Sequence, residues 1–158
     1  MVRTIPAGRF NQLIEVATKI FVARGYRLTQ MSDVAEALGV AKGTLYGYVE
    51  SKEALFDAAV RFADDPRAAP EPGALPLPTP AAGSTVQYVQ NRLTQEAREL
   101  KVVQALSLPK GTRAKADEFE HIVRDLYRRM SRNRRALKLV DRCAIDHPEL
   151  ASVWFEQG

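Results

Sequence analysis

Apolar residues recur along the first 62 positions at three- and four-residue steps, in blocks that stop at glycines and polar capping residues. Phe10, Leu13, Ile14, Ala17, Ile20 and Phe21 form the first stripe, which predicts a long scaffold helix from Arg9 that ends at Gly25. Tyr26 and Leu28 then cover a turn. Met31, Val34, Ala35 and Leu38 predict a second helix over residues 30–38, with Thr29 placed to cap it. Gly39 ends that helix in a left-handed conformation, and Val40 folds back onto its last turn. Leu45 and Val49, four apart, anchor a short third helix over residues 42–49. Ser51 caps a fourth, which turns Leu55, Phe56, Ala59 and Phe62 inward and carries Glu53 in its first turn.

The pattern breaks over residues 63–83, where six of the nine prolines fall within fifteen positions. Proline lacks a backbone donor and disfavours helix in the residue before it, so a continuous helix is excluded. A linker or an extended loop is expected there, a semi-rigid spacer rather than a docking site for a partner. Helical spacing resumes at Ser84 and continues through Val86, Val89, Leu93, Ala97, Leu100, Val103 and Leu106, until Pro109, Lys110 and Gly111 interrupt it. Further helices are expected from about Thr112, carrying Phe119, Ile122, Val123, Leu126, Tyr127 and Met130, then over residues 134–145, and last from Pro148. The expected fold class is all-α. Three segments follow: residues 1–62, a proline-rich stretch at 63–83, and a second helical unit at 84–158.

The third predicted helix is unusual in what it leaves outside. Its outward set is Lys42, Thr44, Tyr46 and Tyr48: one cation, one hydroxyl and two aromatic rings with polar tips. Gly43 lowers helix propensity by about 1 kcal/mol relative to alanine, a cost that makes sense where a helix backbone is closely approached by something else. Two short helices joined by a tight turn form a helix-turn-helix, whose second helix enters the DNA major groove by its N-terminal part. Thr29, Lys42, Gly43, Thr44, Tyr46, Tyr48 and Lys52 are the candidate DNA-binding residues. Lys42 and Thr44 are placed for base or nearby phosphate contact, and Tyr46 and Tyr48 for positioning on the backbone, with a packing role as the alternative for Tyr48 and, less so, for Tyr46. Lys52 stands at a helix N-terminus, where unpaired N–H groups favour phosphate. Residues 1–8 read as a mobile arm with Arg3 and Arg9 available to approach phosphate, the alternative being a frayed terminus.

The run GVAKGTLYGYVESKEALF, preceded by TQMSDVAEAL, resembles the N-terminal domain of the tetracycline-repressor-like (TetR) family of bacterial regulators over residues 10–62. Eleven positions carry it: Gly39, Val40, Gly43, Thr44, Leu45, Tyr46, Tyr48, Ser51, Lys52, Glu53 and Leu55. Ala41 stands where serine or threonine is frequent, and Val49 where phenylalanine is usual. The resemblance implies a three-helix DNA-binding domain followed by a helical effector-binding and dimerisation domain. It implies a homodimer on palindromic operator DNA, most often a repressor, that responds to a small-molecule effector. Members generally continue beyond this length with two more long helices, so the chain is expected to be truncated or to dimerise through a shorter surface. A proline-rich insert after the fourth helix is a departure from the family pattern.

Composition fits this reading without adding to it. The net charge is +4, with 8 basic and 6 acidic residues in positions 1–62 and 14 basic and 10 acidic in positions 84–158. The motif-bearing segment is therefore not the most basic. Arg124, Arg128, Arg129, Arg132, Arg134, Arg135 and Lys138 hold much of the excess, and a solvated face with pairs to Asp125 and Asp141 is expected. The single Cys143 excludes an internal disulfide and reads as a small buried residue. His121 and His147 read as surface or helix-end residues, and Tyr88, Phe119, Tyr127 and Trp154 as core residues with a pocket lining as the alternative. No metal, cofactor or catalytic constellation is indicated, and an enzyme is not expected. No apolar run is long enough for a membrane span, and a cytoplasmic location is expected. The competing reading is a helical protein-interaction module without DNA binding, supported by the proline-rich stretch and the basic second half. Salt-insensitive partner binding without DNA affinity distinguishes it.

Overall fold

The computed structural model describes residues 8–106 and 116–156. Residues 1–7 of the expected 1–8 arm, including Arg3, lie outside these, as do the interruption at residues 109–111 and the helix start at Thr112. Among the described residues there are nine α-helices and no β-strand, in agreement with the all-α expectation. They are α1 (Arg9–Leu28), α2 (Met31–Leu38), α3 (Lys42–Leu45), α4 (Lys52–Phe62), α5 (Ser84–Glu99), α6 (Lys101–Leu106), α7 (Ala116–Arg132), α8 (Arg134–Ala144) and α9 (Pro148–Glu156).

The apolar stripes meet as the spacing predicts. Leu13, Ala17 and Phe21 of α1, Val34 of α2, Leu45 of α3 and Leu55, Phe56 and Ala59 of α4 are buried in one cluster. The Phe21 and Phe56 rings meet edge to face at 5.2 Å, and Phe10 meets Phe62 likewise at 5.7 Å. The cluster continues into the second half without a gap. Leu139, Val140, Cys143 and Ala144 of α8 pack against α1 and α4, and Val89 of α5 and Leu150 of α9 join them.

Three expectations about elements change. Gly25 does not end α1 but kinks it, with φ 83° and ψ 175°, and one further turn runs to Leu28. The long helix expected from Ser84 is interrupted at Leu100, whose extended conformation (ψ 123°) separates α5 from α6. Over residues 63–83 the chain is no free spacer. Two short 3-10 turns, Pro66–Ala68 and Pro72–Ala74, lead into an extended strap whose Leu75 and Leu77 pack against the core.

The basic run pairs more widely than its sequence neighbours suggested. Arg129 reaches Glu96 (3.0 Å), Glu99 (3.1 Å) and Asp125 (3.2 Å), tying α7 to α5, and Arg124 pairs with Glu120. Asp141 instead accepts a bond from Trp154 Nε1 at 2.9 Å. Tyr88 and Trp154 line a cleft of about 890 Å³ between α4, α5, α7, α8 and α9, along with Phe62, Leu93, Met130 and Val140. Phe119 and Tyr127 are not core residues. They are 67% and 73% exposed on α7.

Candidate nucleic-acid interface

The approach to the site is fixed by two glycine-dependent corners and one carboxylate cap. Gly39 adopts φ 69°, and its N–H and that of Val40 donate to Glu36 O and Ala35 O, both at 3.0 Å, which closes α2. At the other end of α2 the Asp33 carboxylate accepts the Gln30 N–H at 2.9 Å and pairs with Arg24 of α1 at 2.8 Å. These partners and the backbone bond hold the Asp33 carboxyl below its ordinary range. The helix thus begins after Gln30, and Thr29 is not its cap. The Thr29 hydroxyl donates to Gly25 O at 2.7 Å and the residue is 1% exposed, so it closes the kink of α1.

The third helix is shorter than the spacing suggested. Regular helix covers Lys42–Leu45, and tighter turns carry the chain through Tyr46 and Gly47 to Val49. Leu45 and Val49 are fully buried, as expected of its anchors. Tyr48, three positions after Leu45, follows that residue inward and is 6% exposed. This corrects its place in the outward set. The i, i+3 spacing from Leu45 was the signal for its burial.

What remains outside is compact. Lys42 and Gly43 are exposed, Thr44 is half-buried, and Tyr46 is 44% exposed. Among the described residues, a Cβ built on Gly43 meets nothing within 4 Å beyond its chain neighbours and its own helix backbone, so no packed neighbour there demands glycine.

Lys52 is turned inward from the flanking position. Its Nζ donates to Arg27 O at 3.3 Å and lies 4.5 Å from the centre of the Tyr26 ring. The Ser51 hydroxyl caps α4 by accepting from the Ala54 N–H at 3.1 Å. Arg9 reaches Gln12 Oε1 at 3.3 Å on the first turn of α1.

Sequence reasoning missed the cluster behind the corner. Tyr26 packs on Phe56 and on His147 of the α8–α9 junction, with ring centres 5.1 and 4.6 Å away, and its hydroxyl donates to Glu53 at 3.3 Å. Burial and the Glu53 carboxylate push the Tyr26 phenol well above its usual value. His147 is half-buried, its Nδ1 has no hydrogen-bond partner among the described residues, and desolvation lowers its pKa.

A two-helix unit closed by a left-handed glycine, with a short second helix anchored by one leucine and open on its other side, defines a helix-turn-helix protein. Residues 13–59 match the family described as bacterial regulatory proteins, tetR family. The chain is 40% identical over 60 residues to the HTH-type transcriptional repressor KstR2 of Rhodococcus jostii, a match covering 37% of this chain and 29% of that protein. It is 34% identical over 56 residues to KstR2 of Mycolicibacterium smegmatis, covering 35% and 27%. It is also 47% identical over 49 residues to the uncharacterized HTH-type transcriptional regulator YhgD of Bacillus subtilis, covering 31% and 26%. No solved structure matches the chain. The chain spans less than a third of the length of these relatives. The likeness is confined to the helix-turn-helix segment, which is similar to the DNA-binding domain of tetR-family regulators.

Proposed function

We propose that the chain is a transcriptional regulator, acting as a repressor, that binds palindromic operator DNA as a homodimer and releases it in response to a small-molecule effector. One observation carries the DNA reading: Leu45 and Val49 bury one side of the recognition turn, while Lys42, Gly43, Thr44 and Tyr46 share its open side. A lysine there meets phosphate or a guanine edge, a hydroxyl meets either, and Gly43 lets the groove wall approach the backbone. Lys52 serves this surface indirectly, by holding the α1 corner through Arg27 and Tyr26.

The functional division follows residues 1–62 for DNA, 63–83 for the connection and 84–158 for effector and pairing. The 890 Å³ cleft is the effector site, of a size suited to a small ligand. Its wall includes Val60, Arg61 and Phe62 at the far end of α4, and α4 begins directly behind the recognition turn. A ligand that binds one setting of α4 better than another changes DNA affinity by that difference.

Half of the ten large apolar residues exposed among the described residues lie on α7: Phe119, Val123, Leu126, Tyr127 and Met130. The same helix is acidic at its start (Asp117, Glu118, Glu120) and basic later (Arg124, Arg128, Arg132). Antiparallel pairing with a second α7 brings the stripes together and sets each acidic end against a basic one.

Selection of sites from a random duplex library at two salt concentrations, with wild type and Lys42→Ala, tests the proposal. A palindrome recovered by the wild type and lost in the variant supports it. Failure to enrich any sequence, with residual binding abolished at physiological salt, overturns it.

A further inference from the structure

The recognition turn cannot hold its own shape. Four helical residues give no cooperative helix, and Gly43 and Gly47 both favour the unfolded chain. Its orientation must come from outside. Leu45, Tyr48 and Val49 supply packing, but apolar packing is not directional.

The proline-rich strap supplies directional bonds at this point. The Leu77 N–H donates to Tyr48 O at 2.8 Å, and the Glu50 N–H donates to Leu77 O at 3.0 Å, pairing Val49 with Leu77 in a parallel bridge. The Thr79 N–H donates to Glu50 Oε2 at 2.9 Å, and its hydroxyl donates to Ser51 Oγ at 2.8 Å. That same Ser51 oxygen accepts the Ala54 N–H. Thr79 thus clips the end of the recognition turn to the start of α4.

The sequence of the strap is fitted to this task. Pro76, Pro78 and Pro80 have no backbone donor, so across residues 76–80 only Leu77 and Thr79 carry an N–H. Both are spent on residues 48 and 50. The alternating prolines also restrict φ, so little conformational entropy is lost when the strap docks. A strap built only to span distance needs neither the alternation nor the threonine.

We propose that Leu77 and Thr79 are positioning residues for DNA recognition: they touch no DNA, but fix the turn that presents Lys42, Thr44 and Tyr46. The proposal rests on the DNA-binding reading above. Its test uses the full chain and compares Leu77→Pro, which removes the donor within an already proline-rich strap, with Thr79→Val and Thr79→Ser. Fluorescence anisotropy gives Kd for the selected duplex and for an unrelated duplex, and hydrogen exchange follows the amides of residues 48–51. Leu77→Pro and Thr79→Val are expected to weaken the selected duplex at least tenfold while the unrelated duplex stays within twofold, with faster exchange at Glu50. Thr79→Ser keeps the hydroxyl and is expected to remain within threefold of wild type. Unchanged affinity for the selected duplex in Leu77→Pro and Thr79→Val overturns the proposal alone, as does a parallel loss on both duplexes accompanied by loss of helix. A wild type that discriminates between no duplexes overturns the DNA-binding reading, and the positioning role with it.

Discussion

The Asp146 carboxylate occupies the place that a side chain on residue 25 would take: a Cβ built on Gly25 lies 2.4 Å from Asp146 Oδ2. From there the carboxylate accepts the Tyr26 N–H at 2.9 Å and the Arg27 N–H at 3.1 Å, the two backbone donors that follow the kink of α1. Gly25→Ala meets both this contact and a φ of +83°, and is expected to destabilise the fold by about 2–4 kcal/mol. Asp146→Ala strips the two donors and is expected to cost about 1–3 kcal/mol. Urea unfolding of both variants and of the double variant checks this. The double variant should lose less than the sum, because the clash and the carboxylate are removed together.

At the DNA surface, exposed and buried candidates are expected to separate by mechanism. Lys42→Ala should weaken duplex binding and reduce the salt slope by about 1. Thr29→Val removes a buried hydroxyl bonded to Gly25 O, and should lower stability by about 1–2 kcal/mol while leaving the salt slope unchanged. Anisotropy titrations at several salt concentrations, set beside thermal melts, resolve the two.

His147 gives the fold a pH dependence of defined sign. Burial beside Tyr26 and Phe56 lowers its pKa below the ordinary value of about 6.5, so the unfolded chain takes up the proton first. Its contribution is complete above pH of about 6.5 and declines as pH falls from there through the lower folded-state value. His147→Phe should flatten the urea midpoint between pH of about 7.5 and 5.5, relative to wild type. The depressed carboxyls of Asp33 and Asp125 act only at more acidic pH, outside that window.

Cys143 is fully buried, its thiol faces Phe21 O at 3.8 Å, and burial raises its pKa to about 12. It is expected to resist alkylation by a thiolate-directed reagent in the native protein. In denaturant it should react completely, so the labelling rate at low urea reports opening of the α1–α8 contact.

Much of the first half was legible because its stripes are regular. The i, i+3, i+4 pattern located α1, α2 and α4, and Gly39 and Ser51 marked the ends they mark in the fold. Where two physical preferences compete locally, spacing alone misled. Thr29 has the chemistry of a cap, yet its hydroxyl bonds back to Gly25 O, while the Asp33 carboxylate takes the Gln30 N–H. Tyr48 has a polar tip suited to a surface, but its register with Leu45 buries it. Long-range pairings left no local trace. Asp146 meets the kink from some 120 positions away. The strap reads as a spacer until Tyr48 and Glu50 are beside it.

The core that runs unbroken from α1 and α4 into α8 also limits how the protein can be recombined. Phe21 and Phe56 lie in the same buried cluster as Val140 and Cys143, and α8 packs on both α1 and α4, so residues 1–62 have a face that another part of the chain completes. A chimera that grafts this helix-turn-helix onto a foreign sensor must therefore import α8, or an apolar helix shaped like it. Without one, the graft would leave an oily seam where the native protein has none.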